Sequence, residues 1–399
     1  MLKDYILKEK DYIIEKRRWL HRHPELSMKE FETAALIEKE LDSFGIPHER
    51  VGETGVHAWI DGKLPAEGHR CIALRSDIDA LPMQDLTDNA YTSEVDGVCH
   101  ACGHDGHTAT LLAAAKVLKE KEAEFSRRVK LFFQQGEEVC GGGRLFVEAG
   151  LMDDVDRVYG AHVSPYIDAG CISLTPGPVN ACSDHFRIIV HGRSSHAATP
   201  ELGIDALYIA SQIVVNLQSV VARSTSPLDT VVVGVGRMES GTAYNIVAET
   251  ATLDGTVRAF DPASREHTAE RIREIAKGTA AMYGAETEFI YERHADPLIN
   301  DPSVVDEVTQ VTEHLIPTDH IIHDMKKSLS ADDFAAYLTK APGMYGYVGT
   351  RSIKKDPETG TPYHNGHFNI DEEALLLSCN VYVDYALAYL NNDINDSLG

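Results

Sequence analysis

Apolar residues recur at helical spacing over roughly residues 3–22 and again over 28–45, the second run stopped by Gly45 and Pro47. Charged residues interrupt the first run, so it predicts an amphipathic helix and neither a signal segment nor a membrane span. The pattern then shortens. HAWID and CIALRSD are brief β-rich runs, an Ala/Leu-rich helical stretch begins near His104, and VKLFFQQ and VYGAHV continue the strand series. Strands alternating with helices predict an α/β layer built on a mostly parallel sheet, in which ligands collect at the carboxyl ends of the strands.

From Cys182 the texture changes. DHFRIIVHG reads as a strand, IDALYIASQIVVNLQSVVAR as a long helix, TVVVGVGRM and IVAETATLDGTVRAF as strands, SREHTAERIREIAKGTAAMYG as a helix and ETEFIYER as a last strand. This β-α-β-β-α-β order is that of a ferredoxin-like α+β domain. The α/β texture resumes near residue 296 and closes with a helix in EEALLLSCNVYVDYALAYL. The expected organisation is therefore a catalytic α/β domain in two segments, 1–181 and 296–399, interrupted by a smaller lid domain over 182–295. No repeat or low-complexity segment appears.

Composition narrows the function more than the fold. At 399 residues, with 43% hydrophobic and 25% charged positions, the chain has the make-up of an ordinary soluble globular protein with room for two domains. A formal net charge of -25 opposes encounters with nucleic acid or an anionic membrane and leaves a small-molecule substrate as the partner. No stretch approaches the ~18 uninterrupted apolar residues of a transmembrane helix. Seven cysteines (71, 99, 102, 140, 171, 182 and 379), an odd number with no secretory signal, argue against a disulfide framework and favour a reducing compartment, by default the cytoplasm.

The candidate chemistry is densest in GVCHACGHDGHTATLL, where Cys99, His100, Cys102, His104, Asp105 and His107 fall within nine residues. Cys99 and Cys102 would make half of a structural zinc site, but no second CxxC completes it, and Gly103 stands where a haem attachment motif needs His. Cys102 and His104, one residue apart, point to the same side of an extended loop and suit zinc and its neighbours. Downstream, LFFQQGEEVCGGG carries Glu137 and Glu138 at a strand tip. An acidic pair is ordinarily a solvated helix start, yet at the end of a buried strand such charges are costly without a partner. One carboxylate there could bind a metal while the other acts as a general base. VYGAHV ends in His162, and TPYHNGHFNIDEEA holds His364 and His367 in a turn before the last helix. Each histidine alone reads as an ordinary one; four such groups at strand ends of one sheet point to a metal centre.

The segments SDIDALPM, GVCHACGHDGHTA, FQQGEE, GAHV, HGRSSHAATP, AYNIVAETATLDGTVRAF and HNGHFNIDEE resemble, in order and spacing, the M20 metallopeptidase family. The likeness spans nearly the whole chain. It is nearest to the amidohydrolase/aminoacylase branch, with its auxin-conjugate hydrolases, hippurate hydrolases and N-acyl-amino-acid deacylases. That resemblance implies that Cys102, His104, Glu138, His162 and His364 ligate two divalent ions, with Cys102 shared. Zinc or manganese would be the ions, with cobalt or nickel as alternatives. It makes Glu137 the general base and places Asp79 behind the ligands, orienting one of them. Asp77 occupies a position where other branches carry a ligand histidine. His196 would donate to the scissile carbonyl oxygen, from its own or a partner subunit, and Asn245 and Arg258 would hold a substrate carboxylate. A surface histidine, a strand-edge amide and a surface ion pair are the structural alternatives for these three. A homodimer through the lid domain is also implied.

The chain departs from the branch in QQGEE for QPAEE and in HNGHF for HNPxF, which leaves His367 as an extra imidazole near the metals. Cys99 and Cys140 read as buried, inert thiols. The implied activity is hydrolysis of N-acyl amino acids. A dipeptidase or carboxypeptidase using the same dinuclear centre is the alternative; a non-catalytic metal-binding protein would have lost Glu137 or a ligand, and both are present.

Overall fold

The computed structural model describes residues 1–65, 67–68 and 70–394. The chain forms two compact units, one of Met1–Gly177, Ile299–Lys326 and Asp332–Gly399, the other of Pro178–Leu298 and Lys327–Ala331. The inserted unit thus runs a few residues beyond 182–295 on each side and takes in a short returning segment.

The first unit is built on an eight-stranded sheet in the order His48–Val51, Gly55–Asp61, Arg128–Gln134, Cys71–Asp77, Arg157–Asp168, Gly343–Arg351, Ile172–Ser173, Ile321–Ile322. Its four central strands, from Arg128–Gln134 to Gly343–Arg351, are mutually parallel, and antiparallel pairings flank them. Cys71–Asp77 is buried at every residue and Gly343–Arg351 at all but the last, the near-continuous burial expected where helices cover both faces. The helix His104–Glu120 is buried on nearly all sides and packs against Lys10–Arg22, Phe31–Phe44 and Leu375–Asn391. Its alanines at 109 and 113–115 let those neighbours approach closely.

The two opening helical patterns are realised with differences. The first is split into Asp4–Leu7 and Lys10–Arg22, with buried Glu9 at the break accepting from Lys116 Nζ at 2.8 Å. The second begins only at Phe31, because Met28 takes a positive φ of 61°. It ends at Gly45 (φ 70°), where Ile46 N–H bonds back to Leu41 O, a left-handed stop that glycine adopts without strain.

The second unit has the expected element order: strands Ser183–His191, Val231–Ser240, Thr250–Ala259 and Glu286–Ala295, with helices Ala206–Ser219 and Pro262–Met282. The sheet is antiparallel throughout, with Ser183–His191 and Thr250–Ala259 in the middle. Phe186, Ile188, Val190, Leu253 and Val257 meet the helices to form its own core. Asp205 and Asp261 cap the two helices through their side chains. Among the described residues no helix is long and apolar enough to cross a membrane.

A buried ionic link fastens the N-terminal helix beneath the helix His104–Glu120. Asp105 Oδ2 accepts from Arg17 Nε at 2.8 Å and lies 2.7 Å from His21 Nδ1, while His21 Nε2 lies 3.2 Å from Asp85. Burial and the neighbouring Arg17 pull the His21 imidazolium down, but Asp105 and Asp85 outweigh them and raise it above its ordinary 6.5. A raised folded-state value means that this charge stabilises fully below about pH 6.5 and fades as pH climbs through the folded value. Urea unfolding of the chelated protein between pH 6 and 9 should therefore show stability falling with pH. The slope from this one proton is bounded at about 1.4 kcal/mol per pH unit, and His21→Gln should remove it. An unchanged slope in that variant would contradict the assignment.

Candidate metal centre

The residues singled out at strand ends come together at the carboxyl edge of the central parallel strands. Cys71–Asp77 delivers Asp77 and, just past it, Asp79. Cys102 and His104 flank Gly103, whose φ is 95° and where a Cβ would lie 2.3 Å from Val163 Cγ2, so only glycine lets both neighbours turn inward. Arg128–Gln134 delivers Glu137 and Glu138 through Gly136, also at positive φ. His162 does not end its strand as the sequence suggested: Arg157–Asp168 continues six residues further, paired with Gly343–Arg351. Its pairing with Cys71–Asp77 stops at Gly160, two residues before His162, which by that register comes level with Asp77 at the end of the neighbouring strand. His364, at φ 56°, is tied back by its N–H to Ala101 O at 2.9 Å, next to the Cys102 loop.

Of five ligand groups among the described residues, each with its donor atoms within 4.8 Å of one another, three bring together the expected ligands: Cys102, His104 and His162; Cys102, Glu138 and His364; His104, Glu137 and Glu138. Cys102 belongs to two of them, the arrangement a bridging thiolate needs. Cys102 Sγ is 3.4 Å from His162 Nε2, and His364 Nε2 is 3.4 Å from Glu138 Oε2. The far ring nitrogens are fixed: His162 Nδ1 donates to Val163 O at 2.7 Å, and His104 Nδ1 donates to Asp79, 2.9 Å from its carbonyl and 3.2 Å from Oδ1. Each ring therefore turns Nε2 toward the centre. Asp79 is itself held by the Ser27 hydroxyl (2.6 Å) and Glu138 N–H (3.0 Å), the position of a residue that orients ligands.

These donors fit a divalent cation. His104 Nε2 and Glu138 Oε1 are buried with no hydrogen-bond partner, a state costing about 1–3 kcal/mol for each group unless something else satisfies it. Charge points the same way. Burial, Asp332, Glu138 and Asp333 push the Glu137 carboxyl well above the carboxylate range. Burial opposes a charged His104, yet Asp77 and Asp79 push it up to about 10. Acidic groups thus outnumber cations, and thiolate, imidazole and carboxylate are together a donor set for zinc or its neighbours.

Asp77 and His107 are otherwise engaged. Asp77 Oδ1 accepts from His107 Nδ1 at 2.6 Å and Oδ2 from Arg75 Nη1 at 2.8 Å, and His107 Nε2 accepts from Val163 N–H. Both nitrogens of His107 are used, so it props the strand carrying His162. Sequence reading missed Asp332 and Asp333, which lie within ligand range of Glu137. Asp333 accepts from Arg75 (3.0 Å), Gln134 (2.7 Å) and Gly143 N–H (2.9 Å). In sequence they are an unremarked acidic pair, and only their burial marks them.

Two expectations need correction. His367 joins none of the ligand groups of the described residues: its N–H bonds to Asn365 Oδ1 in the turn, and its exposed ring lies 3.4 Å from Glu358. Cys140 is only partly buried, whereas Cys99 is buried and its thiol is pushed up to about 12 by desolvation.

His196, Asn245 and Arg258 belong to the second unit. His196 and Asn245 are exposed neighbours, with Ala197 N–H bonded to Asn245 O at 3.0 Å. His196 Nδ1 accepts from Ala198 N–H at 3.0 Å, which leaves the proton on Nε2. Arg258 donates to Val257 O and Thr256 Oγ1 and enters no ion pair among the described residues.

Comparison with known proteins places these features in a group. The family profile described as peptidase family M20/M25/M40 matches residues 73–388. The chain is 36% identical over 384 residues to an N-acetylcysteine deacetylase of Bacillus subtilis, covering 95% of this chain and 97% of that one. It is 35% identical to thermostable carboxypeptidase 2 of Saccharolobus solfataricus over 98% of both. The crystal structure of a Bacillus subtilis protein described as a dinuclear metal-binding peptidase of the M20 family superposes with a TM-score of 0.83 at 33% identity, over 96% of this chain and 99% of that one.

Proposed function

Since the chain belongs to the M20/M25/M40 peptidase family of metal-dependent amidohydrolases and peptidases, we propose that it hydrolyses the amide bond of N-acyl amino acids, N-acetyl or N-aroyl. The observation that carries this is the convergence of Cys102, His104, Glu138, His162 and His364 beside Glu137. Those five residues would hold two divalent ions, with Cys102 between them. Bound ions supply Lewis acidity and a water acidic enough to act as nucleophile near neutral pH. Glu137 takes the proton from the attacking water and delivers it to the leaving amine, one carboxylate serving as base and then acid. Asp79 fixes the His104 ring.

His196 donates from Nε2 to the oxyanion, within its own subunit or across a dimer, and Asn245 and Arg258 bind the substrate carboxylate. The guanidinium of Arg258 suits that role, being a planar fork with no acidic partner among the described residues. His196→Ala should lower kcat by about 10²–10³-fold, as loss of an oxyanion donor does. Steady-state kinetics with KM shifted and kcat intact would contradict this role. A homodimer through the lid, favoured by exposed Val232 and Met238 on the sheet-edge strand Val231–Ser240, and residence in the cytoplasm complete the proposal.

The similarity to a carboxypeptidase favours peptide hydrolysis as the second reading. Chelator-stripped protein, reloaded with zinc, manganese, cobalt or nickel and assayed against N-acetyl and N-benzoyl amino acids and against dipeptides, separates the two. Higher kcat/KM on the N-acyl compounds supports the first reading, and preference for dipeptides overturns it.

A further inference from the structure

Glu30 is a buried carboxylate far from the ligand groups in sequence and unused by the chemistry above. It stands at the N-cap position of the helix Phe31–Phe44, yet its side chain does not cap that helix. Its Oε1 instead accepts the N–H groups of Met28 (2.8 Å) and Gly136 (2.9 Å), and its Oε2 accepts the Thr54 hydroxyl at 2.6 Å. Gly136 immediately precedes Glu137. The surrounding segment 25–30 meets the site at further points. Ser27 donates to Asp79, Ala80 N–H bonds to Glu25 O at 2.8 Å, and the Met28 thioether lies so close that a Cβ at Gly136 or Gly141 would come within 2.7 or 2.9 Å of its Cε.

The backbone around the acidic pair is thus gripped by three buried carboxylates at three places: Gly136 N–H by Glu30, Glu138 N–H by Asp79 and Gly143 N–H by Asp333. Asp79 and Asp333 already have neighbours in the charged cluster. Glu30 enters no ion pair among the described residues, although the Asp79 charge reaches it, and it holds the amide of the residue just before Glu137.

From this we infer that Glu30 is a positioning residue for Glu137, fixing the carboxylate through the Gly136 amide. The inference rests on the reading of Glu137 as the base. What matters is an acceptor at the right reach and not a negative charge, and the geometry separates the two. In Glu30→Gln the amide oxygen can accept both N–H groups while its NH2 donates to the Thr54 hydroxyl, which turns to accept. Glu30→Asp keeps the charge but is one methylene too short. A base displaced by about 1 Å loses up to 10²-fold in rate.

The experiment compares wild type, Glu30→Gln, Glu30→Asp and Glu30→Ala as ion-loaded enzyme, with kcat and KM measured on an N-acyl amino acid and bound metal by elemental analysis. It adds amide hydrogen exchange on the ion-free proteins. Glu30→Gln should stay within about threefold of wild-type kcat, while Glu30→Asp and Glu30→Ala should lose about 10–10²-fold, with KM and metal content unchanged. Exchange should rise across 135–141 in the latter two, with the central strands still protected. Glu30→Gln as impaired as Glu30→Ala, Glu30→Asp near wild type, or unchanged exchange across that loop would each overturn the inference. Should the short variants lose activity through general unfolding, exchange in the central strands would rise as well, and that result also counts against a positioning role. Because exchange needs no catalysis, this result stays separate from any failure of Glu137 as base.

Discussion

Glu137→Gln should bind its full complement of ions and lose between about 10² and 10⁴ in kcat, with KM little changed. The range is that of general acid–base catalysis by one positioned group. The substitution keeps the size of the side chain and removes its ability to take and return a proton. Glu138, one residue away, cannot substitute: its Oε2 faces His364 and its Oε1 faces His104, so both oxygens point at the ion-binding donors. Elemental analysis and steady-state kinetics on the same preparation check the outcome. Near-normal turnover with metal in place would remove Glu137 from the mechanism and with it the proposed chemistry.

Stripping the ions should abolish hydrolysis, and adding back zinc or manganese should restore it. It should also weaken the first unit. A ligand that binds only the folded state stabilises by about 2.7 kcal/mol per site when its free concentration is about 100 times Kd. Without cations the site retains Asp79, Glu137 and Glu138 close together, with His104 Nε2 and Glu138 Oε1 unsatisfied. The second unit has a separate core around Phe186 and Leu253 and, among the described residues, contributes nothing to the ligand groups. Calorimetry should therefore show chelation lowering the transition of the first unit while leaving that of the second where it was. A single transition unmoved by chelator, with activity intact, would contradict a metal centre.

Three of the four central strands were legible as short apolar runs bounded by helical patterns, whereas Gly343–Arg351, interrupted by glycines at 343, 346 and 349, was not read as a strand. The proposed ligands Cys102, His104, Glu138, His162 and His364 and the proposed base Glu137 were legible as a set through the motifs shared with the M20 family; the residues alone pointed to the Cys/His cluster near 102 and to the Glu137–Glu138 pair after a buried strand. What escaped the sequence depends on contacts between distant segments. Asp332 and Asp333 resemble any surface acidic pair until Arg75 and Gln134 are seen to hold one of them. Glu30 looks like an ordinary helix-start carboxylate until its side chain is found bonded to Gly136. The extra imidazole at His367 misled for the converse reason, since proximity in sequence to His364 says nothing about direction when the turn between them reverses the chain.

The strand Gly343–Arg351 lies between Arg157–Asp168 and Ile172–Ser173 in the sheet, although it is separated from them by the entire inserted unit. On the ribosome, Pro178–Leu298, which carries its own core, emerges as one uninterrupted piece before the rest of the first unit is made. The earlier segment must wait with the slot beside its central strand open. That slot exposes backbone groups able to pair with other chains, so the nascent molecule is most prone to aggregate during this interval, and synthesis of the last quarter of the chain ends it.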